Sequence, residues 1–523
     1  MFNKNKFITN IVIYLSMRKF IFLLLIVLGC QDEEIGGILP ANPTADAAEI
    51  LSVSFKSEYN PSITQDINLE FNGIDTFSAH IPFEVDIFNL VASVAISQVN
   101  ATVLLDYDVF ENEVTPHNFG KEVIISAINT DESITTNYKI RLTYFTGLPI
   151  LYINTDNSPI VSKTDYVLGF STIYGGLNFD DLELASMKIR GRGNSTWMHP
   201  KKPYQIEFDN KTAVLGMPDD RRWILLAEYS DKTLLRNKLT FEMGALSHLN
   251  YTPSAEFVEL FINNVHRGTY LVAQKVEKTN NRVPIGDEGF LVEIDQDYRI
   301  APDDVYFTPT IYTQNYPSNV FNIKDPEVQL DSFEYQLIES HINNFESALF
   351  GPNFTDPDSG YRSYIDVDSF VDWFLINEIS KTVDAKWFSS IYFTYSPGGK
   401  IKMGPLWDFD LSYGNVDYAD PEYPEGFWIK ENLWISRMFE DPYFQNQVQT
   451  RFEHFYNSLD YFHSFIDSSS IYLDDSQTLN YDTWQTLGTY VWPNPVWYDT
   501  YQEEVNHLKQ WLTIRLNWLA QEL

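Results

Sequence analysis

Short alternating runs of apolar and polar residues dominate the first third of the chain. Ile67–Phe71, Val103–Leu105, Val123–Ile125 and Tyr138–Leu142 are rich in β-branched and aromatic residues. Asn60-Pro61, Asn72-Gly73, Asn118–Gly120 and Asn129–Asp131 separate them as turn signals. Strands at this spacing predict a small immunoglobulin-like β-sandwich over 49–147. No chemistry-bearing constellation falls inside it, which fits a spacer or docking module.

From residue 148 to 523 the pattern is mixed. Strands are predicted at Ile150–Ile153, Met187–Ile189, Tyr204–Phe208, Trp223–Ala227 and Phe290–Ile294, with a hairpin over Phe257–Gln274 turning at Asn263-Asn264. Leu234–Leu249 reads as a helix. Beyond Asp331 helical periodicity takes over. Asp368 is placed as an N-cap before Phe370, Phe374, Leu375 and Ile379, and Val505, Leu508, Leu512, Leu516 and Leu519 mark a closing helix. Two further strands, Ile391–Tyr395 and Ile401–Met403, flank Pro397-Gly398-Gly399. The fold class is α+β, with a β-rich lobe preceding a helix-rich one.

The N-terminus has a different character. Arg18-Lys19 precede the apolar run Phe20–Leu28, which is too short to span a bilayer and ends at Gly29-Cys30. This is the layout of a signal peptide over 1–30, and VLGC resembles a bacterial lipobox in which Cys30 is the lipidated residue. Residues 31–48 then read as a flexible tether opening with the acidic Gln31–Glu34. The expectation is an extracytoplasmic, lipid-anchored protein, at the outer membrane and surface-exposed, touching the membrane through its anchor alone.

Charge narrows the partners. The 523 residues carry 36 Lys+Arg against 72 Asp+Glu, a formal charge of −36, so the net field repels nucleic acid and anionic lipid. Cys30 is the single cysteine, which excludes an intramolecular disulfide and a cysteine-based metal site.

Two regions carry candidate chemistry. In the β-rich part, Arg190-Gly191-Arg192-Gly193-Asn194-Ser195 lies between predicted strands, where glycine permits close backbone approach and arginines suit phosphate oxygens. Lys201-Lys202 opens the next strand. In the helix-rich part, Asp384 follows a helix, and Asp408 and Asp410 follow a hairpin. Such carboxylates suit a hard divalent ion, and a hydroxyl nucleophile needs one to accept its proton. On a strand, Asp408 and Asp410 would share a face. The plainer alternatives are a solvated Gly-rich turn, a solvent-facing lysine pair and aspartates that cap loops.

Six stretches, taken together and in order, resemble the spore coat protein H (CotH) kinase family. They are MKIRGRGNSTWMHPKKPYQIEFDNK, LGMPDDRRWILLAEYSDKTLLRNKL, FVELFINNVHRGTYLVAQKVE, GFLVEID, NEISKTVDAKWFSSIYF and KMGPLWDFDLSYGN. The resemblance implies an atypical two-lobed protein-kinase-like domain that uses ATP and a divalent metal, Mg²⁺, to phosphorylate hydroxyls of a secreted or surface protein. By the same resemblance Asp384 is the catalytic aspartate and Asp408, with Asp410 beside it, the metal ligand. Arg190, Arg192, Gly193, Asn194, Ser195, Lys202 and Arg236 are then nucleotide-binding. Three positions depart from the pattern: Ser389 where kinases carry a metal-binding Asn, Thr382 for Asn, and Gln274 for Glu. Nucleotidyl transfer, a catalytically inert protein that binds a glycan or a protein, and a two-carboxylate glycosidase remain as alternatives.

Overall fold

The computed structural model describes residues 46–83, 85–176 and 178–523. Cys30, the apolar run before it and most of the tether lie outside the described residues. Among the described residues no helix is long and apolar enough to cross a membrane. The chain divides into two compact units, one comprising 46–79 and Asp86–Leu142, the other His80–Val85 and Thr143–Leu523.

The first unit is built on two antiparallel sheets. One orders its strands Ile67–Asn68, Ile50–Phe55, Leu90–Ile96, Pro116–His117; the other pairs Val123–Ile128 with Thr135–Phe145 and Thr102–Leu105. The alternation seen in the sequence is the alternation of burial: Val123, Ile125 and Ala127 are buried on a single face.

The second unit is mixed α+β. Its first part is a closed barrel of seven strands, Ile150–Asn154, Val167–Tyr174, Leu182–Gly191, Tyr204–Val214, Met217–Leu226, Val265–Gln274 and Ala255–Ile262. Ile150–Asn154 closes it by pairing in parallel with Ala255–Ile262, which leaves no open edge. Met187, Ile189, Ile206, Phe208 and Trp223 fill the interior. Their neighbours Lys188, Arg190, Gln205 and Ile224 therefore face outward by the two-residue period. The hairpin turns where expected, because Asn263 and Asn264 both take positive φ, +51° and +63°, as a two-residue turn of that hand requires.

A five-stranded sheet follows, ordered Tyr306–Phe307, Asn319–Asp325, Phe290–Gln296, Ile391–Tyr395, Lys402–Met403. Helices Phe333–Phe350, Val367–Ser380, Pro442–Asn457 and Tyr501–Glu522 pack into one large core with it and with outward barrel residues such as Ile224 and Leu271. The cap of Val367–Ser380 is Asp366, whose side chain accepts from Ser369 N, and Asp368 lies inside the first turn instead. The last helix has Val505, Leu508, Leu512, Leu516 and Leu519 fully buried and a Thr500–Glu503 capping box.

Candidate functional site

Helix Val367–Ser380 ends at Lys381, which adopts φ +50° and a left-handed conformation without being glycine. The strain is held by what the side chain does: Lys381 Nζ donates to the carbonyls of Asp420, Tyr423 and Glu425 at 3.0, 2.8 and 2.5 Å. The turn delivers Asp384 to the start of a short 3-10 segment, Asp384–Lys386. There Ser389 Oγ donates to Asp384 Oδ2 at 3.1 Å.

Asp408 and Asp410 reach the same place from a loop. They do not sit on a strand, so the expected shared strand face is absent. Asp408 itself takes φ +72°, and Ser390 Oγ donates to its Oδ2 at 3.3 Å. The loop is pinned between the two aspartates, because Phe409 N donates to Asn237 Oδ1 at 2.8 Å. Asn237 Nδ2 in turn donates to both oxygens of buried Glu228, at 3.1 and 3.2 Å. Asn237 thereby ties the helix Arg236–Ala245 to the Asp408 loop and to the end of a barrel strand.

Arg192, Gly193, Asn194 and Ser195 complete the site from above. Arg192 N bonds to Pro203 O at 3.2 Å, and Gly193 turns with φ +84°. With its amide oxygen facing the guanidinium, Asn194 accepts from Arg299 Nε at 3.0 Å. These residues enclose a cavity of about 210 Å³ lined by Arg192–Thr196, Glu293, Asp295, Arg299, Asp384, Asp408 and Asp410.

Its electrostatics follow from crowding carboxylates in a half-buried space. Burial first, then Asp408, pushes the Asp384 carboxyl up to about 6, while Arg299 and Ser389 pull it back. Burial, then Asp408 and Asp384, pushes Asp410 up to about 8. Asp295, paired with Arg299 at 3.2 Å, rises to about 7 through burial and Glu293. The facing cations are Arg192, whose guanidinium lies 5.4 Å over the Trp407 ring, and Arg299.

A model of the CotH kinase protein family matches residues 189–519. The chain belongs to this family. A solved structure from Bacteroides thetaiotaomicron, provisionally named a glycoside hydrolase, is 12% identical. It covers 58% of this chain and 89% of its own, with a TM-score of 0.17, too low to bear on function. No curated protein matches.

Within the matched CotH region the structure gathers Arg192, Gly193, Asn194, Ser195, Asp384, Asp408 and Asp410 around one cavity, and leaves three expected residues outside it. Arg190 points to the outer face of the barrel, where Nη1 donates to Lys163 O at 2.8 Å. Lys202 turns back onto its own loop, donating to Trp197 O at 2.6 Å. Its neighbour Lys201 faces inward, but is engaged by Thr269 O and by Asn480 Oδ1 at 2.8 Å. Arg236 is a structural tie, fully buried against Asp231 and donating from Nε to Ser412 O at 3.0 Å.

The three departures have local explanations. Ser389 supports Asp384, and Thr382 Oγ1 shares hydrogen bonds with Ser380 at 2.8 Å and Ser412 at 3.1 Å. Gln274 Oε1 accepts from Tyr251 OH at 2.9 Å and Ser254 N at 3.0 Å, a role that needs no charge. Sequence reasoning missed Glu293, Asp295 and Arg299. Acids at alternate positions of an otherwise apolar strand, in FLVEIDQ, were the available signal.

Among the described residues no group of three or more His, Cys, Asp or Glu side chains is disposed to hold a metal. Mg²⁺ is ordinarily held by one or two carboxylates plus substrate phosphates and water, so Asp408 and Asp410 suit that mode without a protein cage. Asp408 raises both Asp384 and Asp410, second to burial in each case, and Asp384 raises Asp410 further.

Proposed function

We propose that the chain is an ATP-dependent protein kinase that phosphorylates hydroxyl side chains of a secreted or surface protein. The observation that carries this reading is the meeting of Asp384, Asp408 and Asp410 beneath Arg192–Ser195 in one cavity. The barrel and the helix-rich part serve as the two lobes, preceded by the smaller β-sandwich unit. Arg192 and the amides of the Gly193 loop hold phosphate oxygens. Asp408 and Asp410 hold the divalent ion, which when bound neutralises charge on the phosphates. Asp384 orients the acceptor hydroxyl and takes its proton as the oxygen–phosphorus bond forms and the bond to ADP breaks. A carboxyl titrating near 6 is ionised at neutral pH and can accept that proton.

The direct experiment incubates the purified chain with ATP, Mg²⁺ and extracts of surface proteins, with mass spectrometry of the products. Phosphate on Ser, Thr or Tyr supports the reading. A nucleotidyl adduct replaces it with nucleotidyl transfer, and no nucleotide-dependent product contradicts it.

The location is part of the same proposal and rests on the sequence around Cys30. Replacing Cys30 by Ala should move the protein from the membrane fraction to the soluble one.

A further inference from the structure

The loop that leaves Asp410 continues as an irregular strap, 411–428, made of turns and the short 3-10 segment Asp420–Glu422. Backbone outside helices and sheets must have its polar groups satisfied some other way, and here buried side chains do it. Lys381 Nζ donates to the carbonyls of Asp420, Tyr423 and Glu425. From the last helix, Arg515 Nη1 donates to Pro424 O at 2.8 Å and Gly426 O at 2.7 Å, and Trp511 Nε1 donates to Glu422 O at 3.1 Å. Glu378, paired with Arg515, accepts from Trp428 N at 2.8 Å and from Lys430 N at 2.7 Å. Lys381, Glu378 and Arg515 are all buried.

Of these four side chains, Lys381 is the one that stands in the turn leading to Asp384. Its backbone takes φ +50°, a conformation that glycine adopts freely and lysine does not. An ammonium has three N–H donors, and the three strap carbonyls take all of them. The strap bonds back to the same turn. Trp428 Nε1 donates at 3.2 Å to Val383 O, the carbonyl directly before Asp384, and Tyr413 N donates to Ser380 O at 2.7 Å. Toward solvent the strap shows Tyr418 and Tyr423, 51% and 58% exposed. Tyr418 lies close enough to the site for Asp384 and Asp410, after burial, to help push its hydroxyl up to about 12.

We infer that Lys381 is a positioning residue for the transfer step: its ammonium locks the strap to the Asp384 turn, so that the carboxylate and the surface beside it move as one body. A glycine would end the helix with less strain, but it would leave three carbonyls without this donor and the strap free to shift against Asp384. A displacement of about 1 Å at a reacting group is enough to lower a rate by about 10²-fold. The kinetic consequence rests on the kinase reading, and the mechanical one does not.

The test compares the wild-type chain with Lys381→Gly, which removes the ammonium and relieves the backbone strain, and with Lys381→Met, which removes the ammonium and keeps the strain. With ATP, Mg²⁺ and the surface-protein extract, both variants should lose about 10–100-fold in apparent kcat while the KM for ATP stays within about twofold. Trp428→Phe removes the bond to Val383 O and keeps an aromatic ring under Lys386. It should fall in the same direction by less, and it decides the matter if the Lys381 variants do not fold. Hydrogen exchange on the same full-length proteins should rise together at 420–426 and 382–386, with the core helices unchanged. A wild type that transfers no phosphate removes the kinase reading, and the joint rise in exchange still supports the lock. Exchange that rises at 420–426 alone overturns the inference. So does a Lys381→Gly protein with wild-type kcat, or a loss carried by the KM for ATP instead of kcat.

Discussion

Ser389 Oγ donates a 3.1 Å hydrogen bond to Asp384 Oδ2, so the residue standing where kinases carry a metal-binding Asn serves the catalytic candidate instead. The bond favours the carboxylate against the burial and the Asp408 charge that push Asp384 up to about 6. Catalysis by the carboxylate is present above this value and lost as pH falls through it. Ser389→Ala should therefore move the acid limb of the transfer profile to higher pH. A pH–rate profile that coincides with the wild type would show that the bond is idle.

Asp410 gives a stability prediction with the sign fixed by linkage. An unfolded aspartate titrates near about 4, and burial with Asp408 and Asp384 raises the folded value to about 8. The native state holds the extra proton between these values, so stability falls as pH rises from about 4 to about 8 and the full penalty persists above. Asp410→Asn removes the charge. Without nucleotide or metal, its gain in melting temperature should be larger at about pH 9 than at about pH 5. Equal shifts at both would contradict the assignment.

Lys201 and Lys202 should separate cleanly. Lys201→Ala removes a buried ammonium that donates to Thr269 O and to Asn480 Oδ1, leaving Asn480 Oδ1 the longer bond from Thr269 N, and should cost about 1–3 kcal/mol. The Lys202 ammonium donates to Trp197 O and lies over the Trp197 ring, both within its own loop, and its replacement should stay within about 1 kcal/mol. Chemical denaturation of the two variants decides it.

Gly193 is fixed by geometry. At φ +84° a side chain is strained, and a Cβ there would meet Thr196 Oγ1 at 2.1 Å. Gly193→Ala should cost about 1 kcal/mol or more and weaken nucleotide binding, because the loop must move to relieve the clash. Calorimetric affinity and melting temperature on the same sample measure both.

Much of this was legible in sequence wherever the cause was local. The Asn263-Asn264 turn and the closing helix follow from residue type and spacing, whereas Asp384 and Asp408 were singled out together by the family resemblance. Orientation at element ends was not. Strand Tyr204–Val214 begins only after Pro203, so no alternation extends back to decide which of Lys201 and Lys202 faces inward. Asp366 and Asp368 both precede the same apolar face, and only the bond to Ser369 N selects the cap. Asp408 lies on a loop because Asn237, distant in sequence, takes the amide of Phe409 that a strand neighbour would otherwise bind. Arg299 and Asp295 reach the cavity through the five-stranded sheet, a tertiary relationship that no local pattern encodes.

The central claim is that Asp384 performs transfer while Asp408 holds the metal, and paired measurements on Asp384→Asn and Asp408→Asn test it. Asp384→Asn should retain metal-dependent ATP binding and lose phosphate transfer by about 10²–10⁴-fold. Asp408→Asn should lose the metal-dependent part of ATP affinity as well as transfer. An Asp384→Asn protein that transfers phosphate at the wild-type rate would contradict the account.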